Sequence, residues 1–188
     1  AASGGASDLD GLSDAVSGIA NFTNSMILGH QTTGTLSSAD GNTAVGYAAM
    51  DAITSGDQNV AVGYNALTTL TTGQKNVAIG QAALNSTTEG LGNVAVGNST
   101  LGALTTGDYN TFMGEDAGGS FTTGLQNTAV GYNAMSAVVT GDNNIAMGRS
   151  ALAALTGGTQ NTCVGNYASD GITTGGYNTS LGTYALRG

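Results

Sequence analysis

Side chains that could do chemistry are few in this chain. His30 is the only histidine and Cys163 the only cysteine, which excludes a histidine pair, a thiolate metal cluster and a disulfide framework. Glu115 and Asp116 form an adjacent acid pair of the kind that glycoside hydrolysis uses, but nothing else in the sequence supports a glycosidase. A serine triad has little room with a single histidine. We therefore predict a protein that is not an enzyme, with no catalytic residues, no bound metal and no cofactor.

Composition excludes further classes of function. The 188 residues include 32 Gly, no Pro and no Trp, and only 8% are charged. Three basic residues against twelve acidic ones give a formal net charge of −9, so the chain cannot form a basic face for nucleic acid. No apolar run approaches the ~20 residues of a membrane-spanning helix. We expect neither nucleic-acid binding nor membrane insertion.

An internal repeat organises most of the chain, and it is the main signal in the sequence. Ser25 opens its first copy, and nine further copies each begin with asparagine, so that ten copies cover residues 25–188 and the last is truncated. The period is 17 residues throughout, at Asn42, Asn59, Asn76, Asn93, Asn110, Asn127, Asn144, Asn161 and Asn178. Residues 1–24 differ in character, and we predict an N-terminal linker and cap segment there.

The positions of each copy, numbered from this asparagine, have fixed characters. The third position is mostly Ala, and the fifteenth is Gly from Gly56 to Gly175. The fifth is the turn glycine, present as Gly29, Gly46, Gly63, Gly80, Gly97, Gly114, Gly131, Gly148, Gly165 and Gly182. The fourth is apolar, and its members after the first copy are Val45, Val62, Ile79, Val96, Met113, Val130, Met147, Val164 and Leu181.

This constant unit predicts an all-β fold, a parallel β-solenoid or β-roll of ten coils. A helical pair needs more than ~30 residues per repeat, and a coiled coil needs a seven-residue seam. We predict a first strand at the opening Asn-x-Ala-x, a corner at the fifth-position glycine, a second strand at positions eight to twelve, and a second corner at Thr-Thr-Gly. Coils stacked ~4.8 Å apart would form a rod about 45 Å long.

Alternation along the first strand bears on assembly. The small third position and the larger fourth position must point to opposite faces. We favour the small row inside, which leaves the fourth-position residues as an exposed apolar stripe and makes them candidates for the interface of a homotrimer. The reverse assignment would permit a monomer.

Two further rows have structural or binding interpretations. The repeated asparagines are expected to form a side-chain amide ladder. Tyr47, Tyr64 and Tyr132 share the sixth position and are the best candidates for surface binding, although we favour a structural role in which they cover the edges of coils and stiffen turns. We read Cys163, at a position that is mostly Ala, as a small buried thiol and His30 as a surface side chain.

The ends of the repeat are expected to be covered. Leu9, Leu12, Val16 and Ile19 have the spacing of one helical face, so a short helix or a swapped strand would seal the first coil. The chain begins with Ala and stops in the middle of a copy, and we expect the natural polypeptide to continue or another domain to dock there.

The motif Asn42-Thr43-Ala44-Val45-Gly46-Tyr47, with the later Thr-Thr-Gly, resembles tandem repeats in tail-fibre and other appendage proteins of tailed bacteriophages, notably those of marine cyanobacteria. The lead-in from Asn21 to Leu36 is similar to what precedes such repeats. The resemblance as a whole covers about residues 8–188. The Asn-x-Ala-x-Gly core is also similar to the head repeats of trimeric autotransporter adhesins, which are left-handed parallel β-rolls.

These resemblances imply a trimeric, fibrous, extracellular protein with a binding or spacer role. We expect a structural virion protein of a phage tail or appendage, involved in host-surface attachment. Its partners would be two identical chains, other virion proteins, and a glycan or protein of the host cell surface. A bacterial trimeric surface adhesin is the alternative, and an ice-binding solenoid with rows of threonine is a third.

Overall fold

The protein is a parallel β-solenoid, as predicted. The structure, a computed structural model, describes residues 15–17, 26–28, 39–137 and 140–187, and these contain strands and turns but no helix. The strands are β1 (Ala15–Ser17), β2 (Met26–Leu28), β3 (Thr43–Val45), β4 (Val60–Val62), β5 (Val77–Ile79), β6 (Val94–Val96), β7 (Thr111–Met113), β8 (Thr128–Val130), β9 (Ile145–Met147), β10 (Thr162–Val164) and β11 (Thr179–Leu181).

The strands form one sheet in chain order, with one strand from each coil. Neighbours from β2 to β11 are parallel and in register, so that Ala44 pairs with Ala61 and Val45 with Val62, one repeat further along. The nine steps from β2 to β11 correspond to a rod about 43 Å long at ~4.8 Å per coil. The constant 17-residue spacing is therefore the length of chain that closes one coil.

A strand at the N-terminal side covers the first coil. β1 runs antiparallel to β2, with Val16 opposite Ile27. Of the two caps expected from the sequence, a helix is wrong at Ala15–Ser17, because pairing with the open edge of β2 satisfies backbone groups that a helix would leave exposed. Leu9, Leu12 and Ile19, like His30 and Gly29, lie outside the described residues.

The predicted second strand is wrong. Described residues at positions eight to twelve form no strand, and most of those at positions eight to eleven lie in turns. The seventh and ninth positions adopt left-handed backbone, with φ of 56° at Asn65 and 51° at Leu67. Because left-handed residues alternate with others here, successive backbone N–H groups point along the rod axis. Asn65 N–H donates to Tyr47 O of the preceding coil, and Leu67 N–H donates to Ala83 O of the following one, both at 3.0 Å. The turn therefore bonds to both neighbouring coils, as a strand would. Unlike an extended strand, it also reverses the direction of the chain.

The core is a column of small and medium apolar side chains. The third position faces inward and the fourth outward, as favoured from the sequence: Ala44 is fully buried and Val45 is 37% exposed. The eighth, ninth and twelfth positions pack against the third from the turn side, as Ala66, Leu67 and Leu70 do in one coil. This arrangement explains why the third position is small, since the interior of a single coil is thin.

One coil departs from this pattern, and the departures compensate. Phe112 replaces the usual Ala at the third position and packs against Phe121, with ring centroids 5.0 Å apart. Gly118 replaces the usual Leu or Met at the ninth position, and a Cβ there would lie 2.6 Å from the Phe112 ring. Phe112 thus fills the space that a Leu or Met side chain occupies at the ninth position of other coils. The two substitutions together keep the core filled.

Two glycine rows allow the coils to stack closely. The fifth-position Gly63 has a φ of +136°, and an added Cβ would lie 2.5 Å from Gly80 O in the next coil. At the fifteenth position, a Cβ on Gly73 would lie 2.6 Å from Gly90 O. Any side chain at these corners would push neighbouring coils apart, which accounts for the repetition of glycine in both rows.

The expected asparagine ladder runs through the interior. Asn76 Nδ2 donates to Asn59 Oδ1 of the preceding coil (3.1 Å) and to Gly90 O across its own coil (2.7 Å). Asn59 Oδ1 also accepts the Asn76 backbone N–H at 2.9 Å. The bonds between coils recur along the rod to Asn178, and the bonds across a coil recur to Asn161, so these amides link consecutive coils and close each complete one.

Candidate binding surfaces

The outer face of the sheet carries the predicted interface row. The fourth-position residues all point away from the core, and Val45, Ile79, Met113 and Met147 are between 37% and 42% exposed. They lie in one line because their strands pair in register. The structure therefore brings the nine sequence-predicted residues together into a single stripe.

A second row, made of valine, isoleucine and threonine, lies beside it and was not predicted from the sequence. The second position also faces outward, since it alternates with the buried third position. It contributes Val60, Val77, Val94 and Ile145, with threonine in the other coils. The same two-residue alternation that placed the fourth position outside was the signal that could have identified this row.

The face formed by these two rows is continuous and uncharged. From Thr43 to Leu181, neither row contains a charged residue. Its apolar side chains lie in line and remain partly in contact with water, which makes the face a candidate interaction surface. We call this surface, positions two and four of every described coil, the outer sheet face.

The sixth-position tyrosines, candidates for surface binding, pack against different neighbours along the rod. Tyr47 and Tyr64, in adjacent coils, stack with ring centroids 5.5 Å apart. Tyr132 lies well along the rod from them, and its neighbour is Arg149, whose guanidinium lies 5.7 Å from the ring centroid of Tyr132 and 5.5 Å from that of Tyr167. Sixth-position tyrosines therefore form two separate groups.

Seventh-position tyrosines extend the second group. Tyr167 stacks on Tyr184 at 5.3 Å, and Arg187 lies 5.0 Å from the Tyr184 ring. Arg187 also pairs with Asp170, at 3.5 Å. Tyr167 and Tyr184 are displaced by one position from the sixth-position row, and for that reason they were not predicted from the sequence. Stacking along the rod accounts for the tyrosine contacts without a ligand.

The regularly placed acids have structural partners. At the sixteenth position, Asp57, Asp108 and Asp142 each accept a backbone N–H from the preceding coil at 2.8 Å. These carboxylates therefore satisfy the backbone N–H groups of Asp40, Leu91 and Leu125 and link neighbouring coils. No cluster of three potential metal ligands occurs among the described residues.

The remaining candidates also occupy structural positions. Cys163 is buried in the third-position row between Ala146 and Ser180. Threonines of the thirteenth position use their hydroxyls between coils, as Thr71 Oγ1 does in donating to Thr88 O at 3.1 Å. In the described part of the chain, no helix has the length and apolar character needed to cross a membrane.

Comparison with known proteins adds no relative. No family model, no curated protein and no solved structure matches this chain. The functional interpretation depends on the surfaces described above and on the resemblance of the repeat motif.

Proposed function

We propose that this chain is the repeat segment of a tail fibre or related appendage of a tailed bacteriophage. In this role it forms a stiff shaft or head that holds the virion at the host surface. It works mechanically rather than as an enzyme, and it acts outside the cell as part of the particle. The proposal combines the motif resemblance with the geometry of the rod.

Stiffness is the property that such a shaft requires, and the inter-coil bonds supply it. Every step between described coils from Asn42 onward combines parallel strand pairing, turn hydrogen bonds and an asparagine amide bond. Bending the rod would stretch all of these bonds on one side together. The repeat therefore resists bending without a large hydrophobic core.

The outer sheet face is the observation that carries the proposal. In a single chain this face stays exposed along the whole described solenoid, and self-association would bury its apolar side chains. A strand of three residues is about 10 Å wide, so three such faces can close around a common axis. We accordingly propose a homotrimer in which the valine, isoleucine and methionine side chains of the outer sheet face form the central core.

Labelling the native particle tests this function. Antibodies raised against the purified chain should decorate tail appendages of the virions when viewed by immunogold electron microscopy, and their Fab fragments should reduce adsorption to the host. Labelling of a bacterial envelope in place of virions would contradict the phage assignment and favour the adhesin alternative.

A further inference from the structure

A groove with polar walls crosses four coils on a side of the rod separate from the outer sheet face. Its volume is about 520 Å³, and its lining residues come from the seventh, tenth and eleventh positions of the coils between Asn76 and Asn143. None of them belongs to the second or fourth position. Assembly through the outer sheet face would therefore not use these residues.

Two glycines create the groove. Gly102 and Gly119 occupy the tenth position of adjacent coils, whereas the other described coils carry a side chain there, such as Thr68 or Ala153. Neither glycine has a left-handed φ, and a Cβ on Gly119 would come no closer than 3.4 Å to its neighbours. Backbone geometry therefore does not require glycine at these two positions, unlike the corner rows.

The polar side chains around the groove have hydrogen-bonding capacity to spare. Asn85, Asp116 and Asn133 line it, half-buried, and the hydrogen bonds that these three residues make with other described residues use their backbone atoms. They contrast with the first-position asparagines, whose amides are satisfied by neighbouring coils. The volume of this groove lies within the range of small-ligand sites, and a few polar side chains along its walls would orient a ligand there.

The chemistry of the lining identifies the class of ligand. Carboxylate, amide and hydroxyl groups together accept from and donate to a ligand that itself carries many hydroxyls. None of the described lining residues is basic, and Asp116 would repel an anion. Four coils span roughly 14 Å, enough for a short saccharide lying along the rod.

We propose that this groove binds a neutral glycan, one or two pyranose units in length. Asp116 and Asn133 hold the sugar hydroxyls from one side, Asn85 holds them at one end, and the glycine floor admits the ring. The inference rests on the proposed attachment role, which it deepens by placing a receptor site on the rod itself.

Filling the floor of the groove tests the site. Saturation-transfer NMR of the full chain with lactose, cellobiose, maltose and N-acetyllactosamine should show binding of at least one of them, and sialyllactose should bind more weakly. Gly119→Thr introduces a residue that the rod already carries at Thr68, and it should lower the affinity at least about tenfold. Ala153→Thr makes a similar change at the same position outside the groove and should leave the affinity unaltered.

Removing the carboxylate provides a second variant. Asp116→Ala should weaken binding, and the fold tolerates alanine there because Ala48 and Ala82 hold the same position with φ of 55°. Asn65→Ala is the control at that position in another coil. Binding that survives both Gly119→Thr and Asp116→Ala would overturn the assignment, as would a preference for sialyllactose.

The two proposals fail in different ways. Absence of binding by all four neutral disaccharides, while Fab fragments still block adsorption, would overturn the glycan groove and leave the appendage role standing. Groove-dependent binding by a chain that is absent from virions would support the groove and overturn the appendage role.

Discussion

Asparagine has two distinct roles in this rod, and its position in the repeat decides which. Asn110, at the first position, is buried; its Nδ2 donates to Asn93 Oδ1 at 3.1 Å and to Gly124 O at 2.8 Å. Its Oδ1 accepts the N–H and the side-chain amide of Asn127. Asn65, at the seventh position, is half-buried in a left-handed turn. Of these two residues, only Asn110 uses its side chain to hold coils together.

Replacing a ladder residue should therefore be costly. Asn110→Ala leaves buried donors and acceptors on both sides without partners, and each such group costs about 1–3 kcal/mol. We expect the free energy of unfolding to fall by at least ~3 kcal/mol, measured by urea denaturation followed by circular dichroism. Asn65→Ala, at a position where neighbouring coils have Ala48 and Ala82, should cost less than ~1 kcal/mol. Equal losses in the two variants would contradict the ladder's role.

Left-handed residues other than glycine store strain that substitution can release. Gln126 has a φ of 56° at the seventeenth position, where Gly41 and Gly92 have φ of 68° and 67°. Left-handed backbone costs a non-glycine residue about 1–2 kcal/mol, partly offset by the freedom of glycine in the unfolded chain. Gln126→Gly should thus raise the free energy of unfolding by ~0.5–1 kcal/mol in the same denaturation measurement.

A second glutamine supplies the matched control. Gln81 is exposed at the sixth position and does not have a left-handed φ. Gln81→Gly should therefore destabilise the rod by ~0.5–1 kcal/mol, because only the entropy of the unfolded chain changes. Shifts of the same sign in the two variants would show that backbone strain at Gln126 is not the cause.

At the scale of the element, each coil combines one strand with a long hydrogen-bonded turn. The strand spans three residues, such as Val60–Val62, and the turn that follows bonds to both neighbouring coils. Corners at the fifth and fifteenth positions let these coils approach until their backbones touch. Because the backbones of successive coils approach so closely at these two corners, there is no room for a side chain there.

Adding a methyl group at a corner should disrupt stacking. Gly63→Ala would place Cβ 2.5 Å from Gly80 O in a backbone with φ of +136°, so coils would have to separate. We expect a loss of at least ~3 kcal/mol, measured as a fall in the free energy of unfolding. Gly157→Ala is the control, since a Cβ there meets nothing within 4 Å. A stable Gly63→Ala variant would contradict the close-stacking account.

The length of the coil and the direction of its strand side chains could be predicted from the sequence, because a residue type that recurs at one position has the same surroundings in every coil. The period of the asparagines predicted the coil length, and the small third position beside the large fourth position predicted which faces inward. The strand predicted at positions eight to twelve was wrong. Residues such as Leu67 and Leu70 are apolar whether they lie in a strand or in an inward-facing turn, and left-handed backbone in non-glycine residues leaves no mark in composition.

The candidate surfaces were less accessible to sequence reasoning. The fourth-position stripe was predictable from alternation, but the groove depends on what two adjacent coils lack at Gly102 and Gly119. The grouping of Tyr132 with Arg149 depends on contacts between coils one repeat apart. Such features arise from differences between copies, whereas a repeat pattern contains only what the copies share.

At the scale of the whole molecule, the chain is a rod with an apolar face along its length. β1 covers the N-terminal side of the sheet, and the turns and corners are bonded between coils. The outer sheet face presents a continuous uncharged surface along the described coils, and its fourth-position side chains point away from the core. Burial of this face between three rods is the central claim of the proposed assembly.

Charge on the face should separate assembly from folding. Ile79 is 41% exposed on the outer sheet face, and Leu125 is 39% exposed at the sixteenth position, away from it. Ile79→Lys should disrupt the oligomer without unfolding the coil, because three lysines would meet at the axis. Leu125→Lys carries the same charge outside the interface and should assemble like the unchanged chain.

Light scattering coupled to size exclusion tests the claim most directly. The unchanged chain should have three times the 18.3 kDa mass of one chain, as should Leu125→Lys, while Ile79→Lys should shift toward the single-chain mass and keep its circular dichroism spectrum. A mass of one chain for the unchanged protein over a wide concentration range would contradict the account, because the outer sheet face would then remain open to water.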